Sequence, residues 1–151
     1  MSKIILAFFI FIIIHGCSYE PILKNKKYDF KFKSINLDKE NKTNNILKNN
    51  LLEKSKNSSK KEYDLYLITS QEKEIISSNK QGDPTIFQIK ISLNYLLKEN
   101  DKLILKDVIH RQITYNNIND KHELLKYEEN ILRNLIESIS LEILMSINNN
   151  F

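Results

Sequence analysis

The sequence predicts an α+β fold, a two-layer sandwich in which two helices cover one face of a four-stranded, largely antiparallel sheet. Four segments alternate between apolar and polar residues, the pattern of a strand with one buried face. Two segments place apolar residues at helical spacing, one after the first strand and one at the C-terminal end. The predicted order of elements is therefore β-α-β-β-β-α, with the helices as the second layer.

The N-terminal segment is typical of an exported lipoprotein. Lys3 precedes an unbroken apolar run that ends at Ile14 and has only about half of the roughly 20 residues that a membrane-spanning helix needs. The run therefore indicates a signal peptide. Gly16-Cys17 completes a bacterial lipobox, in which the cysteine is modified with diacylglycerol and its new N-terminus is acylated. His15 departs from the usual small or neutral residue, so the alternative is a plain secreted protein with a chance cysteine.

Cys17 is the predicted lipid anchor. It is the only cysteine in the chain and cannot form an internal disulfide. A lipid with three chains gives stable membrane anchoring, because two lipid signals already do so. The predicted organisation is a signal peptide over residues 1–16, a lipidated tether over 17–27 and one domain over 28–151. The lysines of the tether either contact the membrane surface or belong to a solvated linker.

Composition excludes several classes of function. The chain has only two glycines, Gly16 and Gly82, so no glycine-rich loop can cradle the phosphates of a nucleotide. The formal net charge is +4, which would suggest nucleic acid as the partner of a cytosolic protein. The export signal argues against nucleic acid, and the anions available to an exported protein are lipid phosphates and lipopolysaccharide.

The first two predicted elements of the domain are a strand over residues 28–35 and a helix over residues 43–54. Thr43 is the expected N-cap of the helix. A loop rich in Asn, Ser and Lys follows. The residues assigned to the buried face of the strand are Tyr28, Phe30 and Phe32.

Three strands follow, over residues 62–71, 85–97 and 102–115. Gly82-Asp83-Pro84 marks the turn between the first two of them. The last two form a long antiparallel hairpin, and each exceeds the usual length of about 5 to 6 residues, so we expect the hairpin to extend beyond the sheet. The residues assigned to one face of the last strand are Leu103, Leu105, Ile109, Ile113 and Tyr115. The opposite face of the sheet is expected to contact water or a partner. The lysines assigned to it are Lys31, Lys33 and Lys90.

The last helix is predicted over residues 122–147, where Asp120 and Glu123 form a pair that resembles a capping box. At 1.5 Å per residue its length is about 39 Å, enough to cover the sheet. Leu141 and Met145 lie off the main apolar stripe. They either contact a partner or widen the core-facing stripe.

The histidines argue against an enzyme. The run that begins His122-Glu123 resembles the zinc motif HExxH, but Lys126 replaces the second histidine, and catalytic zinc normally takes three protein ligands. His110 and Asp107 are three residues apart on a predicted strand and so point to opposite faces. No GxSxG element supplies a nucleophile. We therefore expect no catalytic activity, no cofactor and no metal.

Arg111 and Asp107 interrupt the apolar face of the last strand. A bulge that turned Arg111 outward would place a guanidinium group suited to phosphate on the hairpin. An ion pair with a neighbouring carboxylate would instead make Arg111 structural. The sequence leaves both interpretations open.

The residues after the signal peptide, Cys17-Ser18-Tyr19-Glu20-Pro21-Ile22-Leu23, carry a resemblance to a known family. The chain resembles the LptE family, the lipopolysaccharide-assembly lipoproteins of the Gram-negative outer membrane, and its alphaproteobacterial members in particular. The mature chains of that family begin Cys-Gly-(Tyr or Phe)-x-Pro-Leu-Tyr, so the cysteine, the aromatic residue and the proline match in register. The order of elements, the Tyr63-Asp64-Leu65 strand entry, the turn over residues 82–85 and the long final helix extend the resemblance.

The resemblance implies a structural role. LptE-like proteins sit inside the lumen of the LptD β-barrel as a plug, assist its assembly and help to pass lipopolysaccharide to the outer leaflet. Cys17 would anchor the chain on the periplasmic side of the outer membrane, and Ser18 instead of Asp resembles the sorting signal for that membrane. On physical grounds alone, the residues suggested for contact with lipopolysaccharide are Arg111, Lys90 and Lys106.

Two other functions stay open. One is an auxiliary lipoprotein of an ABC-type lipid-transport system, which can share a lipobox and a small α+β sandwich. The other is a small periplasmic hydrolase, against which the lack of a nucleophile or metal constellation argues.

Overall fold

A computed structural model describes residues 28–55 and 59–151 of the chain, and these form four strands and two helices. The predicted signal peptide, tether and Cys17 lie outside the described residues. The predicted α+β class and element order are confirmed. The elements in chain order are β1 (Lys31–Leu37), α1 (Lys42–Lys54), β2 (Glu62–Ser78), β3 (Pro84–Glu99), β4 (Lys102–Asn116) and α2 (Lys121–Asn150).

The strands form one sheet in the order β1-β2-β3-β4. β1 pairs with β2 in parallel, with α1 as the crossover between them, while β2, β3 and β4 form an antiparallel meander. The sheet is therefore mixed but largely antiparallel, as predicted. β1 and β4 are its two edges.

One face of the sheet carries the core, and β3 lies at its centre. Every second residue of β3 from Phe87 to Leu97 is buried, because its side chain faces the helical layer. The Tyr95 hydroxyl donates to Ser146 Oγ of α2 at 3.0 Å. On the helices, the buried apolar residues are Leu47, Leu51, Ile131, Ile136, Ile139, Ile143, Leu144 and Ile147.

The first strand and the first helix begin at different residues from those predicted. β1 starts at Lys31, although the three aromatic residues assigned to the buried face are buried, and Tyr28 forms an isolated bridge to Ser55. The prediction that Thr43 is the N-cap of the helix is wrong. Asn41 is the N-cap, since its side chain accepts a hydrogen bond from Asn44 N at 2.8 Å. Thr43 lies in the first helical turn, where its hydroxyl donates to Gln71 Oε1.

β2 is longer than predicted and ends at Ser78. Its second half is mostly polar and exposed, so apolar alternation gives no signal there. Pairing with β3, which continues to Pro84, maintains this half as a strand. The part of the sheet that extends beyond β1 therefore consists of β2, β3 and β4, and not only of the predicted hairpin. The turn is closed by the Asn79 side chain, which accepts from Asp83 N, and by Gly82 at φ +92°.

A register shift at the tip of the β3-β4 hairpin changes the face of one leucine. Asn100 and Asp101 both have positive φ, as a two-residue hairpin turn requires. The pairing shifts between Leu97 and Lys98, so that Leu103 lies opposite Lys98 and is 50% exposed. The prediction that Leu103 shares the face of Leu105 is wrong, because a one-residue shift moves a side chain to the other face.

α2 begins one residue before the predicted start, at Lys121, and ends three residues later than predicted, at Asn150. The Asp120 side chain accepts hydrogen bonds from His122 N at 2.8 Å and Glu123 N at 3.0 Å. The 30 residues of α2 correspond to about 45 Å. Leu141 is half-buried and Met145 is exposed, so of the two residues only Leu141 widens the core-facing apolar stripe of α2.

The described domain has two distinct ends. At one end, the C-terminal residue Phe151 contacts Tyr63 at the start of β2, and Tyr63 contacts Phe30 just before β1. At the other end, the Asn117 side chain donates to the Pro84 carbonyl, which joins the β4-α2 connection to the turn between β2 and β3. The start and the end of the domain therefore lie together, opposite that turn.

Leu93→Ala should destabilise the domain by about 2 to 5 kcal/mol, because it leaves a cavity at the centre of the core. Leu93 is 0% exposed and lies on the central strand β3. The matched control is Leu125→Ala on α2, where the side chain is 60% exposed and the expected change is within about 0.5 kcal/mol. Urea unfolding measures both. Equal changes in the two variants would contradict the assignment of the core.

Candidate functional site

The face of the sheet opposite the helices is covered by no described element, and we call it the outer face. It is built from the residues of β2, β3 and β4 that alternate with the buried ones. Most of these side chains are polar, but Ile68 and Val108 are also exposed on it. The central residues of the outer face are Ile68, Ser70, Glu72, Gln88, Lys90, Ser92, Asn94, Val108, His110, Gln112 and Thr114.

Cross-strand contacts order the outer face. Gln88 Nε2 donates to Thr114 Oγ1 at 3.0 Å. Ser92 Oγ and His110 Nδ1 lie 2.9 Å apart and share a hydrogen bond. Cross-strand pairs of this kind stabilise the sheet and hold the donors and acceptors in a fixed array. The outer face thus presents a pre-organised polar surface.

Lys90 and Lys106, two of the three residues suggested for lipopolysaccharide, lie on the outer face. Lys90 Nζ forms an ion pair with Glu74 Oε2 at 2.6 Å. Lys106 is exposed opposite Leu96, and among the described residues it forms no ion pair. Lys90 pairs with Gln112, six positions from Lys106 along β4, so the two lysines are about 20 Å apart along the strand.

Arg111 points to the helical side of the sheet. Its strand partner is the buried Ile91, and its guanidinium forms an ion pair with Glu142 of α2 and a 3.5 Å contact with Ser138 Oγ. The structure therefore shows the ion-pair arrangement. The only register shift between β3 and β4 lies at the hairpin tip and does not turn Arg111 outward. The three suggested residues do not form one site.

The two histidines of the described residues lie on different elements. His110 lies on the outer face beside Ser92, whereas Asp107 borders the groove between β4 and α2. His122 lies in the first turn of α2. Across residues 28–55 and 59–151, no group of three or more His, Cys, Asp or Glu side chains could hold a metal ion.

A second cluster, which the sequence pattern did not reveal, joins the sheet to α2. Glu128 Oε1 accepts hydrogen bonds from Lys73 Nζ at 2.6 Å and from the Tyr115 hydroxyl at 2.7 Å. Burial and the hydrogen bond to the Glu128 carboxylate raise the pKa of the Tyr115 phenol. Lys73 also lies over the Phe87 ring at 4.4 Å. The cluster is missed because its residues are distant in sequence and meet only through the fold.

Beside this cluster, a cavity of about 220 Å³ opens between α1, α2 and β2. Its apolar wall includes Ile46, Ile89 and Leu132. At its rim Lys42 forms an ion pair with Glu129 at 2.6 Å, and this contact lowers the pKa of the Glu129 carboxyl. Lys73 and Glu128, which form the other ion pair of this region, also line the cavity.

No helix in the described part of the chain is long and apolar enough to cross a membrane.

The fold defines a class of small α+β proteins that includes lipoproteins of known structure. A crystal structure of rare lipoprotein B from Shewanella oneidensis matches with a TM-score of 0.55 and 14% identity, and covers 76% of this chain and 92% of that chain. A solution structure of lipoprotein B from Nitrosomonas europaea matches with a TM-score of 0.61 and 14% identity, over 81% of this chain and 84% of that chain.

A lipoprotein of Caulobacter crescentus has the same fold, with a TM-score of 0.54 and 17% identity over 76% of this chain and 88% of that chain. The chain matches no family model and no curated protein. At these identities the likeness establishes the fold alone. The fold is thus shared with lipoproteins of the rare lipoprotein B type.

Alkaline pH should destabilise the protein through its buried tyrosines. Burial raises the pKa of the phenols of Tyr28, Tyr63, Tyr95 and Tyr115. A phenol that stays protonated in the folded state but ionises near pH 10 when unfolded makes the free energy of unfolding fall as the pH rises above about 10. Below that pH the phenols are protonated in both states, and the contribution does not change.

Tyr115→Phe should reduce this alkaline slope by up to about 1.4 kcal/mol per pH unit, the largest effect that one group can have. The measurement is urea unfolding at a series of pH values between 8 and 11. Tyr127→Phe is the control, because Tyr127 is an exposed tyrosine on α2. An unchanged slope in the Tyr115 variant would contradict the assignment.

Proposed function

We propose that the protein is an outer-membrane lipoprotein of the LptE type, which plugs an LptD-like β-barrel, assists its assembly and helps to insert lipopolysaccharide into the outer leaflet. The observation that carries this proposal is the uncovered outer face on a fold shared with lipoproteins. The lipobox at Cys17 and the residues that follow it support the same family.

The physical fit rests on the chemistry of a barrel lumen. The interior of a water-filled transmembrane barrel is polar, and its wall offers hydrogen-bonding side chains. The outer face offers amide, hydroxyl and imidazole groups, including Gln88, Ser92 and His110, with a few exposed apolar residues among them. Hydrogen bonds between such groups suit a tight plug, because they satisfy donors and acceptors on both sides. The protein acts in this proposal by contact and without catalysis.

Lipopolysaccharide would then meet the protein at exposed cations. Of the three residues suggested for this contact, Lys106 is the best placed, because it is exposed on the outer face. Lys90 would first have to break its ion pair with Glu74, and Arg111 would have to break its ion pair with Glu142, before either could bind a lipid phosphate. An auxiliary lipoprotein of an ABC-type lipid-transport system remains the alternative, with the outer face bound to a transporter subunit instead of a barrel.

The test of the plug is purification of the tagged, lipidated chain from outer-membrane extract, with the heat-modifiable mobility of a co-purifying barrel read on a gel. Recovery of a large LptD-like barrel in stable complex is the expected result. Recovery of inner-membrane transporter components would favour the alternative, and recovery of no partner would contradict both.

Two matched variants test which face makes the contact. Asn94→Arg adds a charge to the outer face, whereas Asn130→Arg makes the same change at an exposed position of α2. An unpaired charge buried in an interface is costly, so Asn94→Arg should reduce barrel recovery by about tenfold or more. Asn130→Arg should leave recovery unchanged. Equal recovery with both variants would contradict the role of the outer face.

Cys17→Ala should abolish lipidation and release the protein from the membrane. Metabolic labelling with an alkyne palmitate, followed by sedimentation of membranes, measures both effects. Any label that depends on cysteine must be at Cys17, because it is the only cysteine. Ser18→Ala is the control and should retain the label. An unlabelled wild-type chain would support the plain secreted alternative.

A further inference from the structure

The two edges of the sheet differ in how they are exposed. β1 is a short edge of 7 residues that carries Lys31 and Lys33. β4 has 15 residues, and no strand of the described chain pairs with its outer side. A long exposed edge is a template for another strand, and natural proteins blunt such edges with short length, lysines or inward-pointing charges. β1 has the first two of these features, whereas β4 is long and carries its lysines, Lys102 and Lys106, only in its first five residues. The middle of β4 therefore needs another feature.

The backbone groups of β4 that face the free edge follow from the register. At the end of the ladder, Asn117 N donates to the Thr85 carbonyl at 2.8 Å. The pairing is regular from Ile86 opposite Asn116 to Leu97 opposite Leu105. Bonded pairs alternate along an antiparallel ladder. The odd-numbered residues of β4 therefore bond to β3, and the even-numbered residues direct their N–H and C=O groups to the free edge.

Two of these outward groups are occupied by the charged side chain of an adjacent residue of the strand. Val108 N donates to Asp107 Oδ1 at 2.8 Å. The His110 carbonyl accepts a hydrogen bond from Arg111 Nη1 at 2.8 Å. The carboxylate thus binds an N–H and the guanidinium binds a C=O. Asp107 and Arg111 are the two residues that interrupt the apolar face of β4.

The position of the two contacts matters as much as their chemistry. Val108 and His110 flank Ile109, the central residue of the 15-residue strand. An antiparallel strand added at this edge would exchange hydrogen bonds with both residues. It would lose one bond in each of two neighbouring pairs unless the side chains moved. Arg111 is also held by Glu142 and Ser138 of α2, so its displacement breaks further contacts.

We propose that Asp107 and Arg111 form an edge guard, which prevents β4 from adding a strand and in particular from pairing with β4 of a second copy of this chain. This role is independent of the proposed function. It explains why two charges occupy positions on the helix-facing side of β4, where apolar residues would bury more surface. It also assigns Arg111 a role within the chain.

The test is self-association of the full lipidated chain in detergent, measured by sedimentation over a series of protein concentrations. Asp107→Val combined with Arg111→Val removes both contacts and keeps a residue suited to strands. The expected result is that the double variant associates at a concentration at least tenfold lower than the wild type. Intermolecular sheet should accompany this association in the infrared spectrum.

Gln112→Val combined with Thr114→Val is the matched control, because it adds the same two valines to the outer face of the same strand, leaves the net charge unchanged and keeps the lysines of the strand. This control should associate as the wild type does. Association of the control to the same degree as the guard variant would show that added apolar surface is the cause. A folded guard variant that does not associate more than the wild type would also overturn the proposal.

A measurement on the wild type keeps the proposal testable if the guard variant fails to fold. Amide hydrogen exchange should be at least several-fold slower at Val108 than at His110 and Gln112, because only the Val108 N–H among these three outward groups donates to a side chain. Equal exchange at the three amides would overturn the proposal.

Discussion

One-sided burial of the sheet is the constraint on which the rest of the structure depends. The helices bury only one face, so the apolar residues of β2 and β3 must fall on every second position, and the residues between them remain on the surface. β3 satisfies this constraint most fully, because it has a strand on each side and helices across one face. An uncovered outer face follows from the same pattern, since the alternation that forms the core also exposes the polar half of each strand.

The helices and the order of the elements along the chain were predictable because each element carries its own periodic signal. Residues 87–95 alternate between apolar and polar without interruption, and the capping residue Asp120 precedes a long helical pattern. Features that depend on a partner elsewhere in the chain were not predictable in this way. The second half of β2 lacks apolar alternation and exists because β3 is there to pair with it. Leu103 was assigned to the wrong face because a register shift leaves no trace in local periodicity.

The candidate surface was predictable only at the level of its face. Alternation places Lys90 on the polar side of the sheet, but the ion pair with Glu74 depends on the register of β2 against β3. Arg111 shows the same limit more clearly. Its position on the apolar side of β4 is evident from the sequence, whereas its partners Glu142 and Ser138 lie about 30 residues further along the chain and meet it through helix packing.

The adjacency of the two ends of the domain determines how the molecule can be oriented and extended. The described chain starts and finishes at the same end of the sheet, while the turn over residues 79–83 lies at the opposite end of β2, on the order of 55 Å away. A tag fused at Phe151 would therefore lie beside the start of the described domain, whereas an insertion in the 79–83 turn would lie at the far end of the sheet.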